Sequence, residues 1–406
     1  MKLNVQSIHI YISNTMKIRS NKVPTKKWTL LILILLHQTV SAQSINGIQT
    51  DASARNNIYT AVPFLLITPQ PRSGAMGNAG VALDPDANST VINTSALAFL
   101  TEGDFGISCS YSPWLKQLAP DMSISYLSGY YRVNQRNTVS ASIRYFSMGD
   151  INFSDDNFQN LGVYSPSEAA FDLGYSLRLG PDFALGGNVR YISSNLFGGG
   201  TVNGNRGSGK ALAADVSAFQ KSDITLAGTP AVLSFGLNLS NIGTKMTYRN
   251  TAQSYFLPAN MKIGSALKIG EGQNKLTLLL DFNKLMAPTQ PIYGPDGNIV
   301  KGRDPDRSVP SGILGSFSDA PGGFREELKE VGISTGAEMS FKETLYLRAG
   351  YLYQHPEKAN TSYLTLGLGV HYSSLSLDFS YLVGSGYNPL RNTLRFGIQT
   401  RFNRFK

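Results

Sequence analysis

Apolar and polar positions alternate along this chain from Phe105 almost to its end. In residues 393–402, T-L-R-F-G-I-Q-T-R-F, Leu394, Phe396, Ile398 and Phe402 share one face. Thr393, Arg395, Gln399 and Arg401 share the other, which is the period of two that a strand requires. The same pattern predicts fourteen strands: 105–111, 122–131, 137–147, 169–179, 183–193, 211–219, 231–241, 259–268, 274–283, 331–341, 344–353, 361–371, 374–384 and 392–402. Most are near the ~9 to 11 residues of a tilted strand that crosses a bilayer. Connections after even-numbered strands are mostly tight, as at Gly180-Pro181-Asp182, and those after odd-numbered strands are mostly long. Short turns on one rim and long loops on the other define an all-β fold, an antiparallel outer-membrane β-barrel of about 14 strands spanning 105–402.

One face of each strand is apolar, as with Phe171, Leu173, Tyr175, Leu177 and Leu179. The other carries Arg144, Asp172, Arg178, Arg190, Asp215, Asp281, Glu338, Arg348, Asp378, Arg395 and Arg401, both signs together, which predicts a lumen filled by paired charges. Residues 43–104 precede the alternation and are rich in Gly and Ala, with a short helix expected at 95–100. A barrel this wide is not filled by its own side chains, so this segment is expected to be a plug or hatch.

Composition adds a leader. With 42% hydrophobic and 16% charged residues, the chain resembles a soluble protein, as barrels do, because alternation averages out. The formal charge of +9 suggests an acidic partner until its placement is considered. Lys2, Lys17, Arg19, Lys22, Lys26 and Lys27 precede an apolar run at 28–36 and the small residues Ser41 and Ala42. Residues 1–42 therefore read as a secretory signal peptide, with Met16 as an alternative start. Removing those six of the 36 basic residues, against 27 acidic ones, leaves about +3 and no case for nucleic acid.

Catalytic and metal motifs are weak. Gly204 to Lys210 imitates a phosphate loop, but Ala211 stands where a Ser or Thr must hold magnesium. Asp84, Asp86 and Asn88 open like a calcium loop that then lacks its Gly and Glu. His355 and His371 lie far apart, and Cys109 is alone, so neither an enzyme, a cofactor nor a resident metal is expected. The strongest hint is the connection 284–330, interrupted by prolines yet carrying Leu285, Met286, Ile292, Tyr293, Ile313, Leu314, Phe317, Phe324 and Leu328. A loop this long and this apolar is expected to fold, with Asp319 capping a helix that starts near Phe324. Together with Trp114, Leu115, Tyr255 and Phe256 in other outer loops, it predicts an exposed apolar surface for a protein partner.

Thr60 to Ala82 (T-A-V-P-F-L-L-I-T-P-Q-P-R-S-G-A-M-G-N-A-G-V-A), S-Y-S-P-W-L from Ser110, A-S-I-R-Y-F-S-M-G-D-I from Ala141, D-F-N-K-L-M-A-P-T from Asp281 and S-F-S-D-A-P-G-G-F-R-E-E-L from Ser316 resemble the PorV family, outer-membrane components of the type IX secretion system of Bacteroidetes. Asn93-Thr94-Ser95 departs from the family's usual Asn-Pro-small pattern, which weakens a helix start. The resemblance implies a FadL-like barrel surrounded by outer-membrane lipid. It also implies a shuttle that takes the C-terminal signal domain of secreted cargo from an SprA-type translocon to an attachment complex with a PorU-type sortase. The alternative is a FadL-like importer of hydrophobic small molecules, which calls for an apolar lumen and a plug able to open.

Overall fold

The computed structural model describes residues 58–403 apart from 117–118, 120, 155–159, 197–207, 249–253, 271, 360 and 385–389. The signal peptide at 1–42, the first part of the plug and residues 204–207 of the glycine-rich stretch lie outside the described residues.

Fourteen strands make one closed barrel in which each pairs antiparallel with its neighbours in sequence. They are β1 (Phe105–Pro113), β2 (Ser123–Arg132), β3 (Asn137–Ser147), β4 (Ser167–Arg178), β5 (Phe183–Asn195), β6 (Ser208–Leu226) and β7 (Thr229–Gly243). The second half comprises β8 (Asn260–Ile269), β9 (Lys275–Leu285), β10 (Val331–Phe341), β11 (Leu345–Tyr353), β12 (Tyr363–Tyr372), β13 (Leu375–Val383) and β14 (Leu394–Phe402). All fourteen expected strands are present. β14 closes on β1, with Phe105 opposite Phe402 and Tyr111 opposite Phe396. The Phe105 and Phe402 rings stack 4.8 Å apart at that seam.

The largest departure is β6, which runs well past the expected 211–219. Beyond Phe219 the alternation fades, but pairing with β7 continues as far as Leu226 opposite Thr229. Backbone bonding sustains a strand that side-chain pattern alone would end. The register between these strands shifts between Ala214 and Val216.

Closure leaves no sheet edge, and alternation turns apolar side chains outward all round. Phe171, Leu173, Tyr175, Leu364, Leu366 and Leu368 are exposed on the outer wall, while Ser142, Arg144 and Asp172 are buried inside. Such an arrangement places every strand's backbone bonds within the barrel, as a bilayer demands.

The described plug residues lie inside. They form short turns, Pro63–Leu66, Pro71–Gly74, Ser89–Ile92 and Thr94–Phe99, linked by irregular backbone. Thr94–Phe99 is a 3-10 helix, where a short helix was expected. Asn93 supplies the start that the missing proline would otherwise supply: its Oδ1 accepts from the Ser95 N–H at 3.2 Å, and its Nδ2 donates to the Val81 carbonyl at 2.7 Å. The wall is made to fit this backbone. A Cβ at Gly236 would stand 2.0 Å from the Val81 carbonyl oxygen, and one at Gly350 would stand 2.1 Å from the Met76 carbonyl carbon. Only glycine allows main chain to lie directly against strand at these positions.

Candidate functional site

Two regions carry chemistry, the lumen with its plug and the rim bearing the long connections. In the lumen, register converts alternation into ion pairs. Asp172 and Arg190 are direct partners across β4 and β5, and Glu338 and Arg348 across β10 and β11. Arg190 Nη2 reaches Asp215 at 2.9 Å while its Nε bonds Asp172. Arg348 joins Glu338 at 2.7 Å and also bonds Asp378. Arg72 of the plug completes the second group, reaching Glu338 at 2.9 Å and Asp86 at 3.0 Å. Such buried pairs are held because each guanidinium meets two carboxylates in good geometry, whereas a single unpartnered charge there costs several kcal/mol, on the order of 3–5 when one partner is removed.

Wall side chains also hold the plug's backbone. Asp281 accepts from the Gly80 and Val81 N–H groups at 2.7 and 3.0 Å. Lys262 Nζ donates to the Asn78 carbonyl at 3.0 Å, and Thr365 Oγ1 accepts from the Gly77 N–H at 2.8 Å. Arg144 Nη1 donates to the Leu65 carbonyl at 2.8 Å and Arg395 Nε to that of Thr68 at 3.1 Å. Nine of the eleven predicted lumen charges, Arg144, Asp172, Arg190, Asp215, Asp281, Glu338, Arg348, Asp378 and Arg395, are buried inside the wall, and Arg178 is half-buried, with its Nε donating to the Gly180 carbonyl of a tight turn at 3.1 Å. Arg401 is not: it is exposed at the rim of the tight turns and bridges Glu102 at 2.7 Å, because β14 has left the lumen by that residue. Arg72 and Lys262 escape sequence reasoning, since nothing local marks them as partners of Glu338 and of the plug.

The calcium-like stretch is occupied by protein cations. Asp84 bridges Lys268 at 2.7 Å and Lys221 at 3.3 Å, and Asp86 takes Arg72. Among the described residues no group of three or more side chains is placed to hold a metal ion. The His371 ring packs tilted against that of Tyr346, with centroids 4.1 Å apart, and its Nε2 lies 3.9 Å from Asp378, near the turn that ends β12.

At the other rim the connection after β9 is folded. It contains a small hairpin, Ile292–Tyr293 with Ile299–Lys301, and helices Val309–Gly315 and Phe324–Lys329. Lys284, at the end of β9, is buried and reaches Glu327 at 2.9 Å and Glu330 at 2.7 Å. Lys358 reaches Glu330 from the connection after β11 at 3.0 Å, and Thr289 Oγ1 donates to the same carboxylate at 2.8 Å. Lys245 bridges Asp306 at 2.8 Å, so the loop also crosses to the connection after β7. The second helix is not capped by Asp319. Gly323 occupies the cap position without a side-chain bond, and Asp319 instead pairs with Arg307. Burial holds the Asp319 carboxyl above the usual carboxylate range, with Arg307 opposing that shift.

The outer-loop aromatics divide. Tyr293, Phe317, Phe324 and Leu328 are exposed, as is Leu314 at 75%. Leu285 is half-buried at the end of its strand. Trp114 and Phe256, expected on the surface, are buried at 7% and 8%. Trp114 packs in a cluster with Val62, Phe64, Leu65 and Phe146, with Leu115 and Tyr255 at its margin. Phe256 lies against Gly312, where a Cβ would be 2.4 Å from its ring. Both rings find apolar partners from distant parts of the chain, a contact that local pattern does not show.

Fold and site together define a plugged outer-membrane β-barrel whose lumen is tied shut by charge and whose longest loop is structured. The profile described as "Type IX secretion system protein PorV" matches residues 50–292, more than half of the chain, and the chain belongs to that family. It is an outer-membrane protein of the type IX secretion system. No curated protein matches its sequence. Among solved structures it is similar to the Ralstonia pickettii toluene transporter TbuX, with 14% identity, 82% of this chain and 98% of that one covered, and a TM-score of 0.48. It is similar also to the P. putida toluene transporter TodX (11% identity, 84% and 99% covered, TM-score 0.48) and to a Pseudomonas aeruginosa FadL homologue (12%, 82% and 96%, 0.38).

Proposed function

We propose that this protein is a cargo carrier of the secretion system: it receives the C-terminal signal domain of a secreted protein at an SprA-type translocon and delivers it to a surface attachment complex with a PorU-type sortase. The observation that carries the reading is the folded connection 286–330, fixed to the rim by Lys284, Lys358 and Lys245, yet exposing Tyr293, Leu314, Phe317, Phe324 and Leu328. An ordered surface bearing large apolar side chains suits a protein partner, because little ordering entropy remains to be lost on binding. The role needs no catalysis by this chain. A lumen of buried ion pairs and a plug held by wall side chains also suit a carrier better than an importer of greasy molecules.

The test is the double substitution Leu314→Asp with Phe324→Asp, both on exposed side chains, in cells producing normal amounts of barrel. Cargo is expected to lose retention and attachment at the surface. Normal attachment at wild-type abundance would rule the carrier reading out, and lost uptake of a long-chain ligand with secretion unchanged would favour the importer.

A further inference from the structure

An apolar groove lies on the outside of the wall, set up by two rows of outward side chains that strand register holds side by side. Phe171, Tyr191 and Leu212 stand opposite one another across β4, β5 and β6. In the next row, farther from the long-loop rim, Leu173, Val189, Ala214 and Ile242 run from β4 to β7. Ala214 is the small side chain among large neighbours, and the β6–β7 register shifts just beyond it, an irregularity that bends a sheet locally. A dent of about 700 Å³ results, and its exposed lining is almost wholly apolar. Val309 and Pro310, which open the long loop's first helix, line its rim-side end. Behind it the wall is closed: Ala214 stays opposite Ile242, and Arg190 and Asp215 are paired at 2.9 Å on the inner face.

Position decides what covers this groove. It is continuous with the outward face that meets lipid, in the half of the strands nearer the long loops, which is the depth of the outer leaflet. An acyl chain gains nothing hydrophobic by leaving the bilayer for such a groove, because the bilayer interior is equally apolar. Its gain is close contact with a shaped surface, so selectivity has to come from the headgroup. Lys210 supplies the means. It lies two residues nearer the rim than Leu212 on the same outward face, roughly 7 Å along the strand. Its side chain is exposed and joins no ion pair among the described residues. A cation at that height meets the phosphate layer of the leaflet whose chains fill the dent below.

We propose that the groove binds one acyl chain of an outer-leaflet phosphoglycolipid, with Lys210 as the partner of its phosphate. The chain lies over Ala214 and under Val309 and Pro310, and so seats the long loop's first helix on the membrane surface.

The experiment titrates the purified full barrel, in an uncharged detergent, with phosphorylated lipid A and separately with the same lipid stripped of its phosphates. Bound lipid is counted by native mass spectrometry. The wild-type barrel is expected to retain one phosphorylated molecule per chain and to bind the stripped form about fivefold less tightly, the effect of one lysine at a membrane surface. Lys210→Met is expected to erase that difference. Ala214→Phe, at an exposed outward position, fills the dent and is expected to abolish retention. Leu366→Phe, equally exposed on β12 and nearly opposite around the barrel, is expected to leave it intact. Equal binding of both lipids by the wild type overturns the site. So does equal loss in Leu366→Phe and Ala214→Phe, the mark of an ordinary annular layer. Unchanged retention in Ala214→Phe overturns it as well, and loss of a co-purifying membrane protein from that variant instead would assign the groove to a protein. Should Ala214→Phe fail to assemble, the two lipids on wild type and Lys210→Met decide.

Discussion

The smallest decisive features are glycines. Gly350 lies against the plug's Met76, and even one methyl group there collides with main chain rather than with a movable side chain. Gly350→Ala is expected to destabilise the barrel by about 1–3 kcal/mol, the usual range for overpacking, and a lower midpoint for loss of the compact band on heated gels would measure it. Charge at the rim acts more gently. Lys245 bonds Asp306 and holds its carboxyl below the usual carboxylate range. A depressed folded value means the tie is present at neutral pH, above the unfolded value, and is lost as pH falls through the lowered one. Lys245→Met is expected to return the Asp306 titration, followed by carbon NMR, to the ordinary range near pH 4. The pair is exposed and screened, so a change in barrel stability is not expected.

At the scale of elements, several ties of the loop after β9 meet at one carboxylate. Glu330 receives Lys284 from the end of β9 and Lys358 from the connection after β11. Glu330→Gln leaves Lys284 paired with Glu327 and Lys358 with Glu326, a loss expected below the roughly 3–5 kcal/mol of a fully broken buried pair. It is expected to leave the fourteen strands intact while speeding proteolysis within 286–330, followed by mass spectrometry of the fragments. How much of this was legible in sequence follows from what each element depends on. Strands such as β12 were readable because alternation is local, and the lumen positions of Arg190 and Glu338 came with it. Trp114 and Phe256 were misread as surface groups because their partners, Val62 and Gly312, are remote in sequence. The Lys284–Glu330 latch was invisible for the same reason, and the tail of β6 because it rests on pairing with β7 rather than on its own pattern.

Taken whole, the molecule is a closed wall with a filled interior. Side chains from β3, β8, β9, β10, β12 and β14 all bond the plug. In planar bilayers the wild-type barrel is therefore expected to show almost no steady conductance, and removal of residues 63–99 to open large, stable channels; an open wild-type channel would contradict a fixed plug. One contact also sets an order of events. Arg395 of the final strand grips Thr68 across 327 residues of sequence, and Glu338 grips Arg72 across 266. The amino-terminal segment emerges first, yet its last ties form only when β14 is in place, since contacts so distant in sequence form late. A docked plug thereby reports a finished barrel, and an assembly intermediate stalled before β14 would still have its amino-terminal segment within reach of proteases.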